Sequence, residues 1–341
     1  MEHVVIILVV KVSKFRLALT GPRMKQYDVV IVGAGPAGLS AALYSARFSL
    51  KTLVIAEVVG GTLTDAGIID DYLGLPNIKG PDLARKFEEH VRSYNVDILL
   101  DKVVSIKKES EVFRIKCLSG SEYEGKAVIL AVGSIRRRLN VPGEREFTGR
   151  GVSYCAVCDA PLYRGRVVAV IGGGNSAFQS ALLVASYASK VYLIHRRDSF
   201  RAFPIYIKLV QENPKIDIIL SSVVTEIGGA KTVEWIKVKN VKTGREHKLE
   251  VSGVFVEIGS EPPKEFFTEI GLEVDEKGYV AVKPGQTTNI PGLFAAGDCT
   301  GGSFKKKFDQ IITAAAEGAV AALSAYEYLM KGREQLERPA Y

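Results

Sequence analysis

The chain has 341 residues, enough for two domains of ordinary size that each bury a core. Hydrophobic residues make up 47% and charged residues 24%, which excludes a disordered or fibrous protein. The formal net charge is +7, but the Lys and Arg residues are spread along the chain without an aromatic-interleaved patch. We therefore predict no nucleic-acid partner, and interpret the charge as solvated surface that can attract an acidic protein.

The first residues contain the only apolar run that resembles a targeting segment. This run, residues 4–10, is too short to span a bilayer, and Lys11, Lys14 and Arg16 follow it. A signal peptide carries its charge before the apolar run. We therefore predict that folding begins near Met24, that residues 1–23 are an N-terminal extension, and that the protein is cytoplasmic and does not bind membranes.

From residue 26 the pattern is that of a parallel α/β unit. Residues 27–32 predict a buried strand, residues 33–38 a glycine turn, residues 39–47 a helix and residues 51–55 a second strand. In the turn, Gly33 permits a tight bend, Gly35 lets the backbone approach a pyrophosphate, and Gly38 lets the helix pack on the strand. A turn without a ligand is the alternative, which the preceding apolar strand disfavours.

An acid near the end of the second strand usually holds the adenine ribose of a bound dinucleotide. Glu57 is the candidate here, although Ala56 is the alternative alignment of that position. The first unit is therefore predicted to bind a dinucleotide through its glycine turn and this strand end.

The pair Cys155 and Cys158 precedes a second glycine loop. A Cys-x-x-Cys pair can bind metal, but no second pair or histidine cluster completes a four-ligand site, so we predict no metal. Such a pair can also close its own disulfide, and Asp159 beside it can exchange a proton with a thiol. We predict a redox-active dithiol; an inert buried pair is the alternative.

The strand, glycine loop, helix and strand pattern returns after the cysteine pair. Residues 166–171 predict a strand, residues 172–177 a loop, a helix extends to about residue 188, and residues 191–194 predict another strand. An NAD-binding unit would place an acid directly after that last strand, but Arg196 and Arg197 stand there. Their planar guanidinium groups suit a 2′-phosphate, so we predict NADP in preference to NAD. A solvated basic turn is the alternative.

The C-terminal part returns to the first unit. Residues 289–298 predict a turn and a short strand that ends at a Gly-Asp pair. An alanine-rich helix follows from about 310 to 330. Two hinges are predicted, at 133–134 and at 259–260. The fold class is therefore α/β with two Rossmann-like domains: residues 24–135 and 261–341 form one that binds a dinucleotide, and residues 136–260 form an inserted one that binds NADPH and carries the cysteine pair. The family resemblance described next implies that the dinucleotide of the first domain is FAD.

Two glycine loops, the cysteine pair, the motif His-Arg-Arg-x-x-x-Arg at 195–201 and the terminal Gly-Asp together resemble the low-molecular-weight thioredoxin reductases. The resemblance extends from Met24 over nearly all of the chain. It implies an FAD enzyme that carries electrons from NADPH to the cysteine pair and then to thioredoxin or a thioredoxin-like or glutaredoxin-like protein. It also implies a homodimer and two alternating domain arrangements.

The resemblance implies a role for individual positions. Cys158 would be the flavin-proximal thiol, Cys155 the thiol that attacks the partner, and Asp159 the acid–base residue. The implied FAD-binding residues are Gly33, Gly35, Pro36, Ala37, Gly38, Glu57, Gly61, Thr62, Leu63, Asp71, Val103, Ala131, Gly133, Gly297, Asp298, Gln310 and Ile311. The implied NADPH-binding residues are Gly172, Gly174, Asn175, Ser176, Ala177, His195, Arg196, Arg197 and Arg201.

The chain departs from the family pattern at several of these motifs. Thr62 replaces a Gln, and Gln179 and Ser180 stand where the family commonly has two Glu. The pair 161–162 replaces aromatic residues that often contact thioredoxin, and Asp309 replaces an Arg. These changes bear on proton handling, partner choice and flavin contacts, and leave the electron path intact.

Three other functions remain open at this stage. A ferredoxin–NADP reductase of similar fold has no need of the cysteine pair. A dithiol oxidase that passes electrons to oxygen does not require the arginines after residue 194. A non-catalytic flavin redox sensor explains neither the second nucleotide site nor those arginines.

Overall fold

The computed structural model describes residues 24–302 and 308–337. The extension expected at residues 1–23 lies outside the described residues. Within the described part, no helix combines the length and apolar character needed to cross a membrane.

Within the described residues, the first part of the chain forms nine strands and two helices. Its strands are β1 (Lys25–Ala34), β2 (Thr52–Val59), β3 (Ile68–Ile69), β4 (Ile78–Lys79), β5 (Asp97–Leu100), β6 (Val103–Glu109), β7 (Val112–Cys117), β8 (Glu122–Leu130) and β9 (Ile135–Arg136). Its helices are α1 (Pro36–Arg47) and α2 (Gly80–Arg92). A 3₁₀ turn at Gly61–Asp65 follows β2, and we call it the flavin-side turn because it holds three of the residues expected to bind FAD.

The middle of the chain forms a second set of elements. Its strands are β10 (Val152–Ser153), β11 (Val167–Gly172), β12 (Lys190–Ile194), β13 (Ile216–Ile219), β14 (Ser222–Gly228), β15 (Trp235–Asn240), β16 (Glu246–Glu250), β17 (Gly253–Glu257) and β18 (Ser260–Glu261). Its helices are α3 (Glu144–Phe147), α4 (Ala156–Asp159), α5 (Asn175–Ala185) and α6 (Pro204–Gln211). The last part adds α7 (Lys264–Ile270), β19 (Leu293–Ala295) and α8 (Ile311–Glu337).

The first sheet has the strand order β5-β2-β1-β8-β7-β6. Strand β1 runs parallel to both β2 and β8, while β7 and β6 form an antiparallel extension. Strand β8 pairs with β7 over its first half and with β19 over its second half. The tail of the chain thus returns to the sheet that its beginning forms.

Both faces of this sheet are covered, as the continuous apolar run in β1 predicts. Val29 and Ile31 are buried on the face that packs against α1 and α8, whereas Val30 and Val32 are buried on the opposite face. The alternation follows from the two-residue period of a strand.

The second sheet is parallel throughout, in the order β10-β17-β11-β12-β13. Strands β14, β15 and β16 form a separate antiparallel sheet that lies between β13 and β17 in the chain. The predicted fold class, two Rossmann-like units with the second inserted into the first, is confirmed.

The two segments that connect the units pair with one another. Strands β9 and β18 form a short antiparallel ladder, and Arg137 makes an exposed ion pair with Glu261 across it at 3.5 Å. The expected domain boundaries at 135/136 and 260/261 fall within this ladder. Any movement between the units must therefore bend or twist a paired connection.

Candidate active site

The first glycine turn is built by close backbone packing. Gly33 has φ of +108°, and a Cβ atom added there would lie 2.2 Å from the carbonyl oxygen of Ala131. A Cβ atom on Gly38 would lie 1.9 Å from the carbonyl oxygen of Gly33. Helix α1 begins directly after Gly35, with Pro36 at its first position, so its free N–H groups point out of the turn. This cradle fits the pyrophosphate of a dinucleotide.

Substitution of Gly33 by Ala is expected to remove bound FAD and to lower the unfolding midpoint by at least about 5 °C. Two destabilising effects add here, because an Ala side chain disfavours the positive φ and its Cβ atom clashes with the backbone of Ala131. The flavin content of the purified variant and its thermal unfolding curve measure both effects. Gly120→Ala is the matched control, since φ is +90° there but no atom lies within 4 Å of the added Cβ. Full flavin content in Gly33→Ala would contradict the assignment of this turn.

Two further segments expected to bind FAD meet the glycine turn. A Cβ atom on Gly61 would lie 3.2 Å from Cα of Gly35, which places the flavin-side turn against the first loop. A Cβ atom on Gly297 would lie 2.9 Å from Cβ of Ala37, and the N–H of Gly297 donates to the buried carboxylate of Glu317 at 2.7 Å. These segments gather at one end of the first sheet, as expected for a single ligand site.

The remaining residues of the expected FAD set surround this end at varied depth. Glu57 is exposed and pairs with Lys102 at 3.3 Å, beside Val103 at the start of β6. Leu63 is buried and Thr62 is exposed on the flavin-side turn, and Asp298 follows Gly297. Gly133 lies beyond the end of β8, Gln310 directly precedes α8, and Ile311 is the first residue of that helix.

Asp71 lies on an exposed loop that faces the second unit. Burial raises the pKa of Tyr206 on α6, and the carboxylates of Asp70 and Asp71 add to that rise. The loop around Asp71 is therefore close to α6.

The two cysteines expected to be redox-active are joined in a disulfide at the start of α4. The N–H of Cys158 donates to Sγ of Cys155 at 3.1 Å, and Cys158 is exposed while Cys155 is partly buried. Asp159 ends the helix and lines a cavity of about 310 Å³ together with Cys155 and Tyr154. The other two cysteines, Cys117 and Cys299, are buried and are not part of a disulfide.

The disulfide of the second unit lies against the flavin-side turn of the first. One carboxylate oxygen of Asp65, the last residue of that turn, is within 4.8 Å of both sulfur atoms. Sulfur and carboxylate atoms at this spacing can bind a metal ion, but a disulfide offers no thiolate ligand. The arrangement instead places a redox-active bond next to the expected flavin site.

Sequence reasoning missed a chain of three charged residues that begins beside the disulfide with Asp65. Arg136, in β9, pairs with Asp65 at 2.9 Å and with Glu257 at 3.3 Å. The hydroxyl of Ser180 donates to the other carboxylate oxygen of Glu257 at 2.8 Å. Burial raises the pKa of Glu257, while the charge of Arg136 and the hydroxyl of Ser180 oppose that rise.

One signal for this cluster was present in the sequence. Ser180 stands where the family resemblance led us to expect a Glu, and in the structure its hydroxyl contacts the carboxylate of Glu257 from β17. Arg136 belongs to a run of three arginines that we interpreted as solvated surface. The sequence alone gave no reason to pair these two residues.

The second glycine loop connects β11 to α5. A Cβ atom on Gly172 would lie 2.2 Å from the carbonyl oxygen of Glu257, so the loop packs tightly against β17. Gly174 precedes α5, and Asn175 at its first position accepts a hydrogen bond from the N–H of Phe203 at 2.7 Å. Ser176 is exposed at the start of the helix and Ala177 is buried.

The basic segment after β12 folds back over this loop. The ring of His195 lies directly over Gly173, and the N–H of Arg201 donates to the carbonyl oxygen of Gly173 at 2.8 Å. Burial lowers the pKa of His195, and the charges of the neighbouring arginines lower it further. The contact of 3.1 Å between its Nε2 and the Ser199 carbonyl oxygen acts in the opposite direction and raises the pKa.

Arg196, Arg197 and Arg201 are all exposed in this segment. Its one acid, Asp198, is engaged by Lys242 and by the hydroxyl of Ser221. The three guanidinium groups therefore form a cationic surface beside the glycine loop, which fits the 2′-phosphate of NADPH.

A family model described as pyridine nucleotide-disulphide oxidoreductase matches residues 27–318. This chain belongs to that family. The thioredoxin reductase of Listeria innocua is 37% identical over 93% of this chain and 98% of its own length. The NADH dehydrogenase of Bacillus subtilis is 38% identical over 89% of this chain, which spans 59% of that protein. The crystal structure of Lactococcus lactis thioredoxin reductase in its FR conformation is 39% identical, with a TM-score of 0.85 over 89% of this chain and 99% of that one.

These comparisons confirm the resemblance read from the motifs. The expected enzyme class, an FAD-dependent oxidoreductase that uses NADPH, is confirmed as well. The roles assigned to individual residues stay predictions.

Proposed function

We propose that this protein is a thioredoxin reductase, which uses NADPH to reduce the disulfide of thioredoxin or of a thioredoxin-like or glutaredoxin-like protein. The observation that carries the proposal is the disulfide of the second unit, held within 4.8 Å of a carboxylate on the flavin-side turn. The thioredoxin reductase of Listeria innocua, matched along nearly its whole length, supports the same substrate. Bound FAD would supply the two-electron chemistry that links a nicotinamide to a disulfide.

The protein's own residues bind, orient and exchange protons. Gly33, Gly35 and Gly38 hold one pyrophosphate, and the loop from Gly172 to Ala177 holds the other. The exposed arginines of the segment 195–201 select the nucleotide that carries a 2′-phosphate. These contacts fix both nucleotides at the carboxyl ends of parallel strands, as is general for this fold.

The dithiol carries out the exchange with the partner. Reduction of the Cys155–Cys158 bond by two electrons and one proton leaves a thiol and a thiolate, and Asp159 passes that proton to the sulfur that becomes the thiol. The Cys155 thiolate attacks one sulfur of the partner disulfide and displaces the other as a thiolate. Cys158 then attacks Cys155, which restores the internal disulfide and releases the reduced partner.

We also propose that the protein acts as a cytoplasmic homodimer that binds neither nucleic acid nor membranes. Exposed apolar side chains along α8, Ile312, Val320 and Leu323, support a surface that a second copy can cover. The low cysteine count supports a reducing compartment, where a dithiol is kept available for catalysis.

The deciding experiment is anaerobic mixing of the flavoprotein with NADPH, followed by oxidised thioredoxin. We expect loss of the oxidised-flavin absorbance and then release of two thiols per thioredoxin. Loss of absorbance without thiol release would exclude thioredoxin and favour another disulfide or a dithiol oxidase. No loss of absorbance would exclude NADPH as the electron donor.

A further inference from the structure

A chain of charges connects the flavin-side turn to the inserted unit. Asp65 belongs to the first unit, Arg136 to the connecting ladder, and Glu257 to the end of β17 in the second unit. The guanidinium of Arg136 uses one terminal nitrogen for each carboxylate, at 2.9 Å and 3.3 Å. The side chain of Glu257 is only 7% exposed, so one end of this bridge is anchored in the interior.

The disulfide meets this bridge at Asp65. One carboxylate oxygen of Asp65 is within 4.8 Å of both Cys155 Sγ and Cys158 Sγ, and Arg136 lines the same cavity as Cys155. A carboxylate this close to a sulfur opposes formation of a thiolate unless its charge is neutralised.

The other titratable or charged groups around the dithiol come from its own segment. Tyr154 precedes the cysteine pair and Asp159 ends α4; Tyr163, in the 3₁₀ turn after α4, lies near Asp159, and burial raises the pKa of Tyr163. Helix α5, which packs against α4, contains no charged residue. Among the described residues around the dithiol, Arg136 is therefore the cation that balances Asp65.

We propose that Arg136 is a positioning residue of the dithiol centre, which, anchored by Glu257, holds Asp65 in an ion pair and thereby keeps the reduced cysteine pair reactive at neutral pH. The inference rests on the dithiol relay proposed above. Reduction breaks the S–S bond with two electrons from the reductant and leaves one thiolate among these groups. Loss of Arg136 would leave the negative charge of Asp65 uncompensated beside that thiolate.

The test is the pH dependence of cysteine alkylation in the reduced flavoprotein. The protein is reduced with a water-soluble phosphine and treated with iodoacetamide over a range of pH. The modification of Cys155 and that of Cys158 are followed separately by peptide mass spectrometry, and the midpoint is taken from the cysteine that reacts at the lower pH. Alkylation follows the thiolate fraction, and Cys117 and Cys299 are buried away from the reagent. This readout requires neither NADPH nor thioredoxin.

We expect Arg136→Ala to move the midpoint of alkylation upward by about one pH unit. Asp65→Asn combined with Arg136→Ala is expected to return it to within about 0.3 of the wild-type midpoint, since both charges are then absent. Arg136→Lys retains the positive charge and is therefore expected to keep the midpoint close to that of the wild type. Arg137→Ala is the matched control, because this neighbouring arginine pairs with Glu261 on the exposed side of the ladder.

Each outcome decides for or against the inference. An unchanged midpoint in Arg136→Ala, or a double variant that stays as shifted as Arg136→Ala, would overturn it. The flavin spectrum and the unfolding midpoint of each variant separate misfolding from an electrostatic effect. If the wild type fails to reduce thioredoxin while the alkylation midpoints behave as expected, the proposed substrate is wrong but the role of Arg136 stands.

Discussion

Substitution of Cys158 by Ser is expected to lower the rate of NADPH-dependent disulfide reduction by a factor on the order of 10³ or more, because a hydroxyl cannot close the internal disulfide. Bound FAD is expected to remain, since the cradle at Gly33 and Gly297 lies in the first unit and does not include this side chain. Cys158 is exposed, so the hydroxyl can be solvated and the fold is preserved. Thiol release from thioredoxin in the presence of NADPH measures the loss.

The matched control replaces a cysteine outside the pair. Cys299→Ala removes a buried thiol that donates to the carbonyl oxygens of Leu130 and Ala296. This variant is expected to lose some thermal stability and to keep the reduction rate within about twofold of the wild type, since its thiol takes no part in the disulfide exchange and the loss of a small core group acts mainly on stability. A Cys158→Ser variant that retained a tenth of the wild-type rate would show that electrons reach the partner by another route.

Much of the fold was predictable because its signals are local. The continuous apolar run in β1 and the glycines after it specify a buried strand followed by a tight turn, whatever lies elsewhere in the chain. The second unit repeats the same signals between β11 and β12. The structure begins α1 at Pro36, earlier than the predicted residue 39, because proline suits the first helical position.

The candidate site was predictable wherever residues that lie close together in space are also close together in the sequence. The cysteine pair, the two glycine loops and the basic segment after β12 each bring their residues together within a few positions. The flavin-side turn was placed only through the resemblance to a family, since its short sequence has no periodic pattern.

The charges around the disulfide could not be predicted from the sequence. Arg136 is 71 residues from Asp65 and 121 residues from Glu257, and only the folding of one unit against the other brings the three together. The two-residue strands β9 and β18 that fix Arg136 are too short to show alternation. A run of arginines in a loop is usually solvated, so the local pattern pointed away from a structural role.

Replacement of both Arg196 and Arg197 by Ala is expected to raise the KM for NADPH by about 10- to 100-fold, at about 1.4 kcal/mol for each factor of ten. Both guanidinium groups are exposed beside the second glycine loop, while the acid between them and Arg201 is engaged by Lys242. They are thus free to bind a 2′-phosphate by charge-assisted hydrogen bonds. The KM for NADH, which lacks that phosphate, is expected to change by less than about threefold. Steady-state reduction of thioredoxin with each nucleotide gives the two constants.

The control must separate phosphate binding from general attraction of an anion. Arg85→Ala with Arg92→Ala removes the same two charges from the exposed surface of α2, where each arginine pairs with a glutamate one helical turn away. Long-range attraction acts on NADPH and NADH through net charge, and it weakens as salt is added. A contact with the 2′-phosphate instead changes the ratio of the two KM values. An unchanged ratio in the Arg196 and Arg197 double variant would therefore assign these arginines to the solvated surface and leave the nucleotide preference to the glycine loop and His195.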